Sequence, residues 1–260
     1  DDSIIEEHAF TAELEEFEIP VVAPLINDGG KSLIHFDSYR FSLFPRVGGR
    51  TPELDNPDHL LQLGHCLARL HNIGAVKPFQ HRPVININAY CNEQRHYILE
   101  NDFIPADLLP AYESLTTDII GQIERAFEKA GDLNFIRLHG DCHLGNILWR
   151  DDSPCLVDFD DTRMGPAIQD LWMFLSGDRA YMTSGLYDLM EGYSEFRDFD
   201  RRELQLIEPL RTMRIMHHAG WIAQRWADPA FPLAFPWFNT QKYWEEHILS
   251  LREQAAMLNE

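Results

Sequence analysis

Residues 137–161, Arg-Leu-His-Gly-Asp-Cys-His-Leu-Gly-Asn-Ile-Leu-Trp-Arg-Asp-Asp-Ser-Pro-Cys-Leu-Val-Asp-Phe-Asp-Asp, constrain this chain more than any other stretch. Four polar residues, His139, Asp141, Asn146 and Asp158, stand among short apolar runs. Ile147, Leu148 and Trp149 form one run, and Leu156 and Val157 begin a second after the turn signal at Asp151 to Pro154. The pattern predicts loop, short strand, turn, short strand. Two buried strands would then carry Asp141, Asn146 and Asp158 to a common mouth.

That spacing has a chemical use. In a catalytic loop of the form H-R-D-x-x-x-x-N, the Asp accepts the proton of a substrate hydroxyl and the Asn holds Mg²⁺. An Asp from the next strand completes the metal site. Here Asn146 follows Asp141 by five residues and His139 precedes it by two. Asp158 stands where the second Asp belongs, with Phe159 and Asp160 after it instead of Phe-Gly. Two other chemistries can be weighed for the same residues. His139, Cys142 and His143 could suggest zinc, but no further Cys/His pair lies close in sequence. Cys142 could suggest a thiol nucleophile, but it needs a His placed in space, which adjacency to His143 does not supply. Asp160 and Asp161 also read as a solvated acidic turn, whereas Asp158, directly after two apolar residues, reads as a metal ligand.

His-Gly-Asp-Cys-His-Leu-Gly-Asn, residues 139–146, resembles the HGDxHxxN signature of the aminoglycoside phosphotransferase/choline kinase superfamily. The resemblance runs on through residues 157–161 and 165–172, and Trp226 to Pro232 points to a protein-kinase branch. It implies an α+β, protein-kinase-like bilobal fold. Residues 1–45 would be the remainder of a small β-rich lobe, a helix plus antiparallel strands, and 46–50 an inter-lobe hinge. Residues 51–260 would form the larger, mostly helical lobe, with catalytic loop 139–146 and metal-binding segment 156–161. The implied cofactors are Mg²⁺ and ATP. The implied roles are Asp141 as base with His139 beside it, and Asn146 and Asp158 on the metal. Glu7 would pair with a phosphate-binding Lys, and Phe44, Arg46 and Asp160 would lie at the nucleotide. No Gly-rich loop or Lys-bearing strand precedes Glu7, so the first strands of the small lobe are expected upstream of these residues. The resemblance also implies that Asp170 bonds back to the catalytic loop. The implied acceptors are Ser and Thr of proteins, the chain's own included, in a stress-response setting. An amino alcohol or aminosugar hydroxyl is the alternative acceptor. A non-catalytic, pseudokinase-like binding module is a reading of another class.

Charge narrows the partners. With 22 Lys and Arg against 42 Asp and Glu, the formal net charge is −20. A nucleic-acid binder needs a basic face for the phosphates. A basic peptide or a small polycation suits this chain better. The four cysteines, at 66, 91, 142 and 155, match no disulfide or zinc pattern and read as reduced thiols of a cytoplasmic protein. No apolar run approaches membrane-spanning length. The expectation is a monomer whose partners are ATP and protein, with neither nucleic acid nor membrane.

The remaining elements follow from periodicity. Ser3 to Phe17 predicts a helix capped by Ser3 with Glu6 completing a capping box, and Phe10, Leu14 and Phe17 on its apolar face. Asp28-Gly29-Gly30 predicts a hairpin turn, and Gly30-Lys31-Ser32 lacks the Gly at 25 that a phosphate loop requires. Residues 31–35 and 39–44 predict a strand pair, half-buried through Tyr39, Phe41 and Leu43. Helices are expected from Pro57, over 89–99, over 115–130 ending at Gly131, near Ala167, over 186–193 and across 204–226. Loops are expected at 177–184 and 229–238, and a surface helix over 242–258. On the 204–226 stretch most basic and aromatic residues read as packed rings with snorkelling arginines. A second reading makes Arg214, Trp221 and Arg225 the wall of the acceptor cleft.

Overall fold

A computed structural model describes residues 1–175 and 179–259. The elements follow in chain order. Helix α1 (Asp2–Glu16) leads to the hairpin β1 (Ile34–Phe36) and β2 (Tyr39–Phe41). Then come α2 (Pro57–Gly74), a π-helical turn (Asn88–Asn92) running into α3 (Glu93–Glu100), and α4 (Leu109–Ala130). Four short strands follow, β3 (Ile136–Leu138), β4 (Ile147–Arg150), β5 (Ser153–Leu156) and β6 (Arg163–Gly165). The chain continues with α5 (Gln169–Trp172), α6 (Arg179–Phe196), α7 (Ile207–Gln224), α8 (Ala230–Ala234) and α9 (Gln241–Met257). The fold is α+β, with the helices dominant. Two compact units divide it, one of Asp1–Val84 with Leu133–Arg201, the other of Ile85–Asp132 with Arg202–Glu260.

In the first unit, α2 begins where Asn56 accepts the N–H of Asp58 at 3.0 Å and Pro57 takes a position whose N–H needs no partner. Leu60, Leu63, Leu67 and Leu70 recur on its buried face. Helix α6 packs against that face through paired glycines. A Cβ on Gly64 would strike the Leu189 carbonyl, and one on Gly192 the Leu61 carbonyl. Residues 179–184 belong to α6, where a loop was expected, and 176–178 lie outside the described residues. Packing against α2 overrides the weak helix preference of Thr183, Ser184 and Gly185. Strands β4 and β5 pair in antiparallel register, Ile147 opposite Leu156 and Arg150 opposite Ser153. Their turn uses Asp151 and Asp152, both with positive φ (48° and 59°), a conformation Asp tolerates better than most residues. Strand β3 pairs with β6, Leu138 opposite Arg163.

Three expectations for the N-terminal region are corrected. Helix α1 starts at Asp2, so Ser3 is inside it and caps nothing. Glu6 accepts instead from the N–H groups of Gln80, His81 and Arg82 at 2.6, 2.8 and 2.9 Å. Phe10 and Leu14 are buried, but Phe17, at the end of the helix, is 58% exposed. Strands β1 and β2 pair as expected but over Ile34–Phe36 and Tyr39–Phe41 only, and Tyr39, Phe41 and Leu43 are exposed, because no second layer covers that hairpin among the described residues.

In the second unit, α4 begins at Leu109, six residues before the expected start, since Pro110 is tolerated in a first turn. It ends at Gly131 (φ 71°) as expected. The 229–238 stretch contains α8, and Phe238 is buried while Leu233 is exposed. Helix α9 is more than a surface helix, for Trp244, His247, Ile248 and Leu251 are buried. All four cysteines are buried free thiols, and no described helix is long and apolar enough to cross a membrane.

His247 lies among Tyr112, Tyr243 and Trp244, and its Nε2 has no hydrogen-bond partner. Burial pushes its pKa down to about 4, with His218 adding to the effect. A buried neutral imidazole contributes stability that is complete above the unfolded-state value near 6.5 and is lost as pH falls toward 4. Replacing His247 by Leu should remove up to ~3 kcal/mol of acid sensitivity in that window. Thermal unfolding of both proteins at pH 7 and pH 4.5 checks this, and equal acid losses would refute it.

Candidate active site

The loop after β3 is shaped by a residue that follows it by thirty positions. Asp170, wholly buried in α5, accepts the N–H groups of His139 and Gly140 on its two oxygens, each at 2.8 Å. His71 of α2 completes the set, its Nε2 at 3.1 Å from Oδ2 and its Nδ1 at 2.9 Å from the Tyr193 hydroxyl of α6. Burial would raise the Asp170 pKa, but His71, His139 and the Gly140 N–H outweigh it and hold the carboxyl below its usual range. Gln169 adds a bond from its side chain to the Gly140 carbonyl at 3.1 Å. Gly140 has φ of 87°, and a Cβ there would strike the Asp161 carbonyl.

His139 is fully buried. Its Nε2 donates to the Val157 carbonyl at 2.9 Å, and its Nδ1 accepts the N–H of Asp141 at 3.3 Å. Both ring nitrogens are thus used inside the protein, which removes it from any zinc set. Cys142 is fully buried and its thiol is pushed well up by that burial, so it is no nucleophile. Asp141 is half-buried at the mouth of the loop, with His143 Nε2 at 3.4 Å from its Oδ2. Asn146 donates from Nδ2 to the Asp141 carbonyl at 3.0 Å, and its own carbonyl accepts the N–H of Val157 at 3.0 Å. That last bond puts Asn146 beside the residue preceding Asp158. Asp158 is exposed, with φ of 63°.

Asn146 and Asp158 offer an amide and a carboxylate oxygen. Among the described residues no group of three or more His, Cys, Asp or Glu is disposed to hold a metal. Amide and carboxylate oxygens are donors that a hard divalent cation such as Mg²⁺ accepts beside waters and phosphates.

Glu7 is buried in α1, and Arg82 lies 3.1 Å from its Oε2. Burial raises its pKa to about 7. Arg82 opposes the shift, and Asp160, Asp158 and Asp161 add to it. Burial and Asp158 likewise raise Asp160. Phe44 and Arg46 lie on the exposed segment after β2, where Phe44 meets the His8 ring edge-on at 6.1 Å. Arg214, Trp221 and Arg225 belong to the second unit, on and just after α7. The Arg225 guanidinium stacks over the Trp221 ring at 4.9 Å. Sequence reasoning missed Arg82, His71 and Gln169. Each acts through partners far away in the chain, and no local pattern marks that.

A family model described as the phosphotransferase enzyme family matches residues 1–207. Stress response kinase A of Escherichia coli (strain K12) is 44% identical over 259 residues, covering 100% of this chain and 78% of that protein. Serine/threonine protein kinase RdoA of Salmonella typhimurium (strain LT2) is 43% identical over the same span, with the same coverage. Among solved structures, the microcompartment-associated aminopropanol kinase matches with a TM-score of 0.71 at 17% identity, over 99% of this chain and 81% of that one. At that identity the likeness establishes the fold alone.

The left-handed backbone at Gly140 and its contact with Asp161 leave no room for a methyl group. Gly140→Ala should destabilise the protein by roughly 2–3 kcal/mol. A urea titration would register this as a lower midpoint, and a midpoint like that of wild type would contradict it.

Proposed function

Because the chain belongs to the phosphotransferase enzyme family and is a kinase, we propose that it transfers the terminal phosphate of ATP to Ser and Thr hydroxyls of proteins, its own included. The observation that carries this reading is the pair of bonds at Asn146, one to the Asp141 carbonyl and one from the Val157 N–H. They tie Asn146 to Asp141 and to the residue before Asp158, which supports reading these three as a base and two oxygen ligands.

In this reading Asp141 accepts the proton of the acceptor hydroxyl as its oxygen attacks phosphorus. His139 is a positioning residue, since it ties the Asp141 N–H to the Val157 carbonyl. Asn146 and Asp158 would hold Mg²⁺, which when bound offsets charge on the phosphates. Glu7, Phe44, Arg46 and Asp160 would serve the nucleotide. The protein acceptor is supported by the serine/threonine kinase name of one relative and by a net charge of −20, which suits basic peptides. A cytoplasmic monomer acting without nucleic acid or membrane belongs to the same proposal. The same negative charge also favours a second reading, an amino alcohol or aminosugar as acceptor.

Wild type and Asp141→Ala would each be given labelled ATP and Mg²⁺, alone, with a basic protein, and with a panel of amino alcohols and aminoglycosides. Label should enter protein and fall about 10²- to 10⁴-fold in the variant, with the fold intact by circular dichroism. Label confined to a small molecule would transfer the conclusion to the second reading. Near-normal turnover in the variant would overturn the role of Asp141.

A further inference from the structure

Arg82 belongs to no motif, yet its side chain is 8% exposed and all three guanidinium nitrogens are engaged. Nε donates to the Thr162 carbonyl at 2.7 Å, one terminal nitrogen to the Asp160 carbonyl, and the other to Glu7 at 3.1 Å and Ser3 at 3.4 Å. The Arg82 N–H is itself held by Glu6, with those of Gln80 and His81. The first two turns of α1 therefore grip the 80–82 loop twice, by backbone and by side chain. Through Arg82 they reach the carbonyls on either side of Asp161.

Asp158 lies between two clamps. On one side the Val157 N–H is fixed to Asn146. On the other, the Thr162 N–H bonds to the Phe159 carbonyl at 2.9 Å, and Arg82 takes the carbonyls of Asp160 and Thr162. Asp158 holds a left-handed conformation, which Asp adopts at modest cost, and the contacts on both sides brace it. We propose that Arg82 is a positioning residue for phosphate transfer, which sets the Asp158 carboxylate and makes that setting depend on helix α1. This rests on the reading of Asp158 as a metal ligand. A lysine cannot replace the arginine, because one ammonium cannot reach acceptors that the planar fork meets in separate directions.

The test uses Arg82→Lys and Glu7→Gln. Each variant is assayed for phosphate transfer across a Mg²⁺ titration, and for backbone hydrogen exchange over 158–163 without nucleotide. Circular dichroism reports folding. Arg82→Lys should raise the half-saturating Mg²⁺ concentration about tenfold, leave the acceptor KM unchanged, and speed exchange over 158–163. Glu7→Gln keeps the carbonyl bonds and weakens only the ion pair, so it should raise the Mg²⁺ requirement less, about threefold. A purely structural arginine would alter stability without separating the Mg²⁺ requirement from the acceptor KM. Wild-type Mg²⁺ dependence and wild-type exchange in a folded Arg82→Lys protein would overturn the proposal. Should that variant not fold, unchanged exchange over 158–163 in Glu7→Gln would do the same. If Asp158→Ala keeps the wild-type Mg²⁺ dependence, the metal reading of Asp158 fails, while exchange over 158–163 still decides whether Arg82 holds the segment.

Discussion

A single carboxylate without solvent contact organises this protein. Asp170 accepts two backbone N–H groups and faces the His71 ring, and these partners hold its carboxyl below the usual carboxylate range despite its burial. A buried charge is costly unless every lone pair is met, and removing one partner exposes that whole cost. The arrangement therefore demands one geometry of the 139–140 turn. That geometry requires a glycine at 140, and the turn then presents Asp141 at the open end of the loop. Tyr193 orients His71 in turn, so α2, α5 and α6 all converge on two peptide groups.

The paired glycines of α2 and α6 belong to the same design. Their close approach lets His71 and Tyr193 meet, and a bulkier residue at either position would separate the two helices. Beyond the turn, the Asn146 to Val157 bond joins the two halves of the central motif across the β4–β5 hairpin. The acidic stretch that follows is balanced locally: Arg163 pairs with Asp161, and Arg82 with Glu7 and the Asp160 carbonyl.

How much of this was legible depended on the range of each interaction. The helix starting at Pro57 and the glycine stop at 131 follow from nearest-neighbour chemistry and agree with the structure, as does the β4–β5 hairpin, except that its second strand runs over Ser153–Leu156 and not from Leu156 into Val157. Asp170 was read through a resemblance, and its bonds to the loop are present. Glu6 was misread because a capping box and a long-range carboxylate cradle place the same residue types at the same spacing. Only the fold decides that the N–H groups of 80–82 lie nearer than those of the helix. The apolar alternation at Tyr39, Phe41 and Leu43 identified a strand, but not what covers it, and these side chains are exposed. Arg82 and His71 could not be found, since their partners lie 75 or more residues away in sequence.

Asp170 sets the 139–140 turn. Asp170→Asn tests it most directly, because the amide preserves shape while removing the charge and one acceptor. Backbone hydrogen exchange at His139 and Gly140 would be measured beside the kinetics of phosphate transfer. Exchange at those two amides should be faster by about 10- to 100-fold, with a matching fall in kcat and a nearly constant KM for nucleotide. Unchanged exchange together with unchanged kcat would contradict it.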